Sequence, residues 1–344
     1  MSDPLIPTDR GLYCPSGGFY IDPWKPVERS IVTHAHGDHA RLGMDRYLCA
    51  DEGRIALQYR LGPDAKIDSV PYGEQVNLGG AKVSLHPAGH VIGSAQVRVE
   101  VEGHITVVSG DYKTEADRSC TPFELVKCHT FVTESTFGLP IYRWPNEGDA
   151  MRSVCEWWQS NQAQGKCSVL FGYALGKCQR VLAQLDPSIG PIVLHGAVEN
   201  MTRAYRESGF NMPETHLVSE LERGFDWSKA IVLAPPSAHG TTWMRRFGDL
   251  STAFASGWMA IRGTRRRRSV DRGFVISDHV DWPSLINVIS ETEAEKIWVT
   301  HGYSSVVVRY LEEHGMEAQT LATAWEGEAD EPQADEQSPE EQPS

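Results

Sequence analysis

The sequence predicts a layered α/β fold, and three observations carry that expectation. Short apolar runs end repeatedly in polar residues capable of chemistry. The middle of the chain alternates strand, loop and helix. One segment alternates apolar and polar residues on both sides of a turn. In order along the chain, "GGFYIDP" and "SIVTHAH" read as short strands with polar tips. "AQVRVEVEGHITVVSGD" reads as a β-hairpin turning at Glu102-Gly103, and "CHTFVTEST" as a further strand. From about 148, "DAMRSVCEWWQSNQ" has helical periodicity. "CSVLFGYALGKCQRVLAQL" and "GPIVLHGAVENMTRAYRESG" each read strand, loop, helix, and "KAIVLAPPSA" is a buried strand. These units predict a compact α/β subdomain with parallel strands over 138–250. The flanking segments, 1–137 and 251–325, then form one discontinuous domain. In the second segment, "GFVISDHV", a helix over 282–292, "KIWVTHG" and a helix over 304–314 stopped by Gly315 return to the first style.

A chain of 344 residues fits one large or two ordinary domains, and 40% hydrophobic residues with ten tryptophans suffice for a core. No run approaches eighteen apolar residues, so no membrane span is expected. The start, "MSDPLIPTDRGLY", lacks the basic-then-apolar order of a signal peptide. Seven cysteines, an odd number without a CxxC pair, predict neither a disulfide framework nor a thiolate zinc site. A reducing cytoplasm is the simplest compartment. The net charge of -14 is uneven: residues 326–344 hold eight acidic and no basic side chains, which leaves -6 for the rest. That polar, proline-bearing tail is expected to be disordered.

The richest local signal is "THAHGDHA", which puts His34, His36, Asp38 and His39 within six residues. A helix would scatter them, whereas a tight loop can aim them at one point. Imidazole nitrogen and carboxylate oxygen suit zinc, and also manganese or iron. Further donors stand at other strand ends: His90 in "PAGHVIGSA", Asp111 in "VVSGDY" and His301 in "WVTHG". Together they make two sites. His34, His36 and His90 would hold one ion and Asp38, His39 and His301 the other, with Asp111 between them. Three or four protein ligands per ion leave the open position a catalytic site requires.

HxHxDH followed by a strand-end histidine and a strand-end aspartate resembles the metallo-β-lactamase fold. The resemblance implies an αβ/βα sandwich with a dinuclear site, and substrates ranging from lactams and thioesters to nucleic acids. Glu134 in "TESTFG", His279 in "ISDHVDW" and His301 in "VTHG", with an α/β insertion between the first two, resemble the β-CASP nucleases over residues 12–316. By that resemblance Asp22 orients the metal-binding loop, Glu134 supports His279, and His279 is the general acid. Asp38 and Asp111 serve catalysis through the metals. His301, usually missing from Artemis-type members, brings the chain nearer the RNase J and processing-endonuclease branch. "GLYCPSGGFYIDPWKPVERSIVTHAHGDHAR" and "TESTFGLPIYRWP" are similar to the bacterial DNA ligase-associated exonucleases. This implies a DNA exonuclease, 5′-end directed, with two divalent ions, zinc or manganese, working beside an ATP-dependent DNA ligase and a helicase in repair.

Six arginines fall between 262 and 272: Arg262, Arg265, Arg266, Arg267, Arg268 and Arg272. Arginine pairs bidentately with phosphate, so the run is expected to hold nucleic-acid backbone without reading sequence. A second phosphate contact is expected at "GYALGKCQR", through Lys177, Arg180 and a helix N-terminus. The other classes open to this sequence are an RNase J-like ribonuclease, a small-molecule ester or lactone hydrolase, and a scaffold without catalysis. The insertion and arginine run argue against the hydrolase, and the complete donor set against the scaffold.

Overall fold

The computed structural model describes residues 3–325 apart from 262 and 264–268. The acidic tail, 326–344, and five of the six clustered arginines, Arg262 and Arg265 to Arg268, lie outside the described residues.

The chain forms a mixed α/β structure with three sheets among the described residues. The first holds six strands in sequence order: β1 (Ile6–Pro7), β2 (Leu12–Cys14), β3 (Phe19–Ile21), β4 (Arg29–Ile31), β5 (Arg46–Ala50) and β6 (Ile67–Val70). From β3 onward its neighbours are parallel. Next come β7 (Gln75–Leu78), β8 (Ala81–Pro87), β9 (Ala95–Val101), β10 (His104–Val108) and β11 (Thr130–Ser135). The third sheet follows, with β12 (Cys167–Phe171), β13 (Ile192–Leu194), β14 (His216–Leu217), β15 (Ile231–Ala234), β16 (Leu250–Ala255) and β17 (Arg272–Phe274). The chain then returns with β18 (Lys296–Gly302) and β19 (Glu317–Thr320), which complete the second sheet in the order β19-β18-β11-β10-β9-β8-β7.

The hairpin turns where the sequence places it. Glu102 and Gly103 both adopt positive φ, 51° and 85°, and join antiparallel β9 and β10. Such a two-residue turn has the twist that antiparallel strands need. Because β9 is antiparallel to both β8 and β10, the strands β8, β10, β11 and β18 all point the same way. Their C-terminal ends therefore share one edge of the sheet.

One core joins the first two sheets: Leu12, Phe19, Ile21 and Ile31 pack with Val83, Val97, Val99, Val108 and Val132. The opposite face of the second sheet is covered by two amphipathic helices, α5 (Trp282–Glu291) and α6 (Ser304–Glu313), through Leu285, Ile289, Val307 and Leu311. The opposite face of the first sheet shares a core with α1 (Arg54–Leu61) and with the third sheet's helices α2 (Glu147–Ala163), α3 (Lys177–Leu182) and α4 (Gly196–Glu207).

The third sheet is wholly parallel, order β14-β13-β15-β12-β16-β17. It extends beyond the expected boundary at 250: β16 pairs with β12, and β17 with β16. Residues 250–255 and 272–274 thus belong to the inserted sheet, not to the flanking unit. No helix among the described residues is long and apolar enough to cross a membrane.

Candidate metal centre

The donors converge because parallel strands end together. His34 follows β4, His90 follows β8, Asp111 follows β10 and His301 lies near the end of β18. The loop after β4 closes tightly, with the amides of His39 and Ala40 both bonding the carbonyl of His36. Gly110 (φ 57°) brings Asp111 against this loop; a Cβ there would meet Thr33 at 2.7 Å. Only glycine tolerates both the backbone angle and the approach.

His36 Nδ1 lies 3.1 Å from His34 Nε2 and 3.1 Å from His90 Nε2. Asp111 Oδ2 is 3.6 Å from His34 Nε2, 3.9 Å from His90 Nε2 and 3.6 Å from His39 Nε2. Its other oxygen is 3.2 Å from His301 Nε2. Asp38 Oδ2 completes the group, 3.5 Å from His39 Nε2. The ligand atoms of His34, His36, His90 and Asp111 all fall within 4.8 Å of one another.

The opposite ring nitrogens are held, and this decides which nitrogen faces inward. His36 Nε2 bonds the carbonyl of Leu175 and His90 Nδ1 that of Asp278. His39 Nδ1 meets the Asp22 carboxylate at 2.7 Å. Thr33 gives its hydroxyl proton to Asp22, so it can accept from His34 Nδ1 at 3.1 Å. Thr300, bonded to the Thr133 carbonyl, does the same for His301 Nδ1. Five histidines thereby turn their second ring nitrogen into the cluster around Asp111.

Electrostatics fit a cation. Burial drives His34 and His90 well below the usual histidine range, with neighbouring histidines adding to the effect, so both are neutral donors. Burial opposes charge on His39 too, but Asp38, Asp111 and Asp22 outweigh it and push it up to about 10. The carboxylates favour positive charge at this point, which a metal ion could supply. His39 Nε2, Asp111 Oδ1 and His301 Nε2 are buried without hydrogen-bond partners, the state expected of metal ligands. The group made by His34, His36, His90 and Asp111 therefore fits a metal ion.

Beside the centre, His279 Nδ1 lies between the two oxygens of Glu134. Burial lowers the affinity of His279 for a proton, but the Glu134 carboxylate raises it to about 10. The Tyr112 amide bonds the same carboxylate, and the Trp144 indole bonds the His279 carbonyl.

Two expectations for nucleic-acid contact are corrected. Lys177 and Arg180 are fully buried. Lys177 is ion-paired with Asp278, and Arg180 with Asp117 and Glu147. Arg180 also donates to the carbonyls of Gly89 and His90. Their charge is spent inside the molecule, and α3, six residues long, is buried throughout. Arg272, by contrast, is exposed, with its guanidinium over the Phe274 ring. Residues the sequence did not single out complete the site: Thr33, Thr300, Leu175 and Trp325. None carries a local signal, because each acts through a contact made only in the fold.

Fold and site together define an α/β protein with clustered histidines and aspartates able to hold divalent metal. No family model matches the chain. A protein named "Probable DNA ligase" from Opitutus terrae is 31% identical over 314 residues, 90% of this chain and 30% of that protein. "Endoribonuclease YSH1" of Saccharomyces cerevisiae is 29% identical over 40% of this chain and 18% of its own length. "Cleavage and polyadenylation specificity factor subunit 3" of Dictyostelium discoideum is 32% identical over 35% of this chain and 16% of its own length. The chain thus spans less than a third of these curated relatives. A crystal structure of a protein of unknown function from Enterococcus faecalis shares the fold, with TM-score 0.58 at 14% identity over 87% of this chain and 80% of that one. These likenesses support a nuclease of the β-CASP type.

Proposed function

We propose that the protein is a metal-dependent DNA exonuclease that trims from a 5′ end. The observation that carries this reading is the Asp111 carboxylate, with both oxygens turned toward histidine nitrogens from separate strands. In this reading His34, His36 and His90 hold one ion, Asp38, His39 and His301 the other, and Asp111 both. Zinc or manganese suits the donors. Bound there, two ions would lower the pKa of water and neutralise phosphate charge.

The chain's own residues do the rest. Asp22 holds the loop through Thr33 and His39. His279, kept protonated by Glu134, gives its proton to the departing oxygen of the phosphodiester. The phosphate is one anion among many on the substrate, so exposed arginines such as Arg272, and the run at 262–268, would hold the backbone. The expected αβ/βα sandwich agrees with the shared core of the first two sheets. The discontinuous division, 1–137 with 251–325 around an inserted unit at 138–250, is part of this proposal, and the wholly parallel third sheet supports an inserted unit.

DNA is favoured by the relative that spans 90% of this chain and is named a ligase. That likeness also supports action in DNA repair beside a ligase, and a helicase partner and a cytoplasmic setting are further parts of the proposal. RNA is the second reading, favoured by the relatives named endoribonucleases, which match a smaller part of the chain.

Single-stranded DNA labelled at its 5′ terminus, with manganese or zinc, tests the proposal. Immediate release of labelled mononucleotide, absent with Asp111→Asn, is the expected result. A descending ladder would mean 3′ trimming or internal cutting, and cleavage of RNA alone would favour the second reading.

A further inference from the structure

The two halves of the centre share Asp22, which holds His39 directly and His34 through Thr33, but their other braces come from different parts of the molecule. His36 and His90 lean on Leu175 and Asp278. The half made by Asp38, His39 and His301 meets Trp325, the last described residue. Its indole stacks on the His39 ring, centroids 5.3 Å apart and planes 25° apart. Its edge faces the His301 ring at 6.4 Å and 82°. The indole N–H donates to the carbonyl of Asp22 at 2.8 Å, and Trp325 is only 4% exposed.

Asp22 is the residue this contact serves. It sits at φ 42°, a left-handed conformation that costs energy outside glycine. In that conformation its carboxylate reaches the Thr33 amide, the Thr33 hydroxyl and His39 Nδ1 at once. Trp325 therefore bonds the backbone of the strained residue and stacks on the histidine that residue orients. The segment carrying it is tied down on either side of the site: the Leu321 amide bonds the Val299 carbonyl, and Arg41 bonds the Ala324 carbonyl at 2.8 Å.

We propose that Trp325 is a positioning residue that acts first on the half of the metal centre built by Asp38, His39 and His301, whose rings it meets directly, and on His34 of the other half only at second hand, through Asp22 and Thr33. The inference rests on the two-ion reading above. It assigns to a residue far from every recognised motif the task of holding Asp22 and the His39 ring in ligating posture.

Cobalt(II) alone, titrated into the full chain, reads both halves through its visible absorption bands. His39→Ala and His90→Ala chains serve as references for loss of either half. The wild type is expected to take up two ions. In Trp325→Ala the ion whose bands vanish in His39→Ala is expected to bind about tenfold more weakly or worse, the scale seen when outer contacts of a ligand are removed. The other ion, reached only through Asp22, Thr33 and His34, is expected to weaken far less. Trp325→Phe, which keeps a ring and loses only the N–H, is expected to weaken the same ion a few-fold, and it decides the matter if the alanine variant does not fold. Unchanged affinity in both variants, or equal weakening of both ions, overturns the inference while the two-ion reading stands. A wild type that takes up fewer than two ions removes that reading, and this inference with it.

Discussion

His279 Nδ1 lies 2.9 Å from one carboxylate oxygen of Glu134 and 3.0 Å from the other, with both side chains buried. Burial alone would strip the proton from His279, and Glu134 keeps it there. Replacing Glu134 by Gln should therefore act on the chemical step through His279. For His279→Ala a fall in kcat of about 10²–10⁴ is expected, the usual worth of a positioned acid. Glu134→Gln should fall on the same side, with metal content unchanged in both. Single-turnover rates beside metal analysis check this, and a loss of metal in either variant would assign the pair a different task.

Asp111 faces ligand atoms of both halves. Asp111→Asn is expected to reduce bound metal from about two ions toward none, whereas removal of a ligand in one half alone removes one. Elemental analysis of the purified chains separates these outcomes. Retention of both ions would contradict the bridging place given to Asp111.

Lys177 and Asp278 form a buried ion pair, and the Asp278 carbonyl holds His90. Lys177→Met leaves a buried carboxylate without its partner and should cost about 3–5 kcal/mol. Adding Asp278→Asn should restore part of that loss. Denaturant unfolding of the single and double variants measures the effect. DNA affinity measured against salt should keep its slope, since Lys177 meets no solvent; a shallower slope would return this lysine to the nucleic-acid surface.

Arg272 is exposed at the start of β17. If it holds a phosphate, Arg272→Ala should weaken DNA binding without regard to sequence and reduce the salt slope by about 1. Binding isotherms at several salt concentrations check it, and an unchanged slope would remove Arg272 from the interface.

Metal should also stabilise the folded chain. Ions that bind only the folded form at about 100 times Kd add roughly 2.7 kcal/mol per site. Chelation is therefore expected to lower Tm by several degrees in the wild type and far less in Asp111→Asn. Equal shifts in both would place the stabilising ion elsewhere.

Much of the centre was legible because its chemistry is written into short spacings. His34, His36, Asp38 and His39 share one loop, and His90, Asp111, Glu134, His279 and His301 each stand where an apolar run stops. The helix at 304–313 and the turn at Glu102-Gly103 were legible for the same local reason. The boundary of the inserted sheet was not. β17 is three residues long and separated from β16 by an arginine-rich stretch of sequence, so pairing, not periodicity, places it.

Lys177 and Arg180 mark the same limit more sharply. Basic residues beside a glycine before a short helix look like a phosphate site, and nothing local says that Asp278, Asp117 and Glu147 will fold over them. Trp325 is the converse case: an unremarked tryptophan that reaches His39 and Asp22 across some three hundred residues. By itself the sequence determined which donor atoms exist, on which strand ends they ride, and hence the metal chemistry open to this protein. Tertiary structure alone decided which charges are cancelled in the interior, which ring nitrogen each histidine turns inward, and what braces them. Those outcomes depend on long-range burial and on hydrogen bonds between segments distant in the chain, and neither leaves a pattern in the residues nearby.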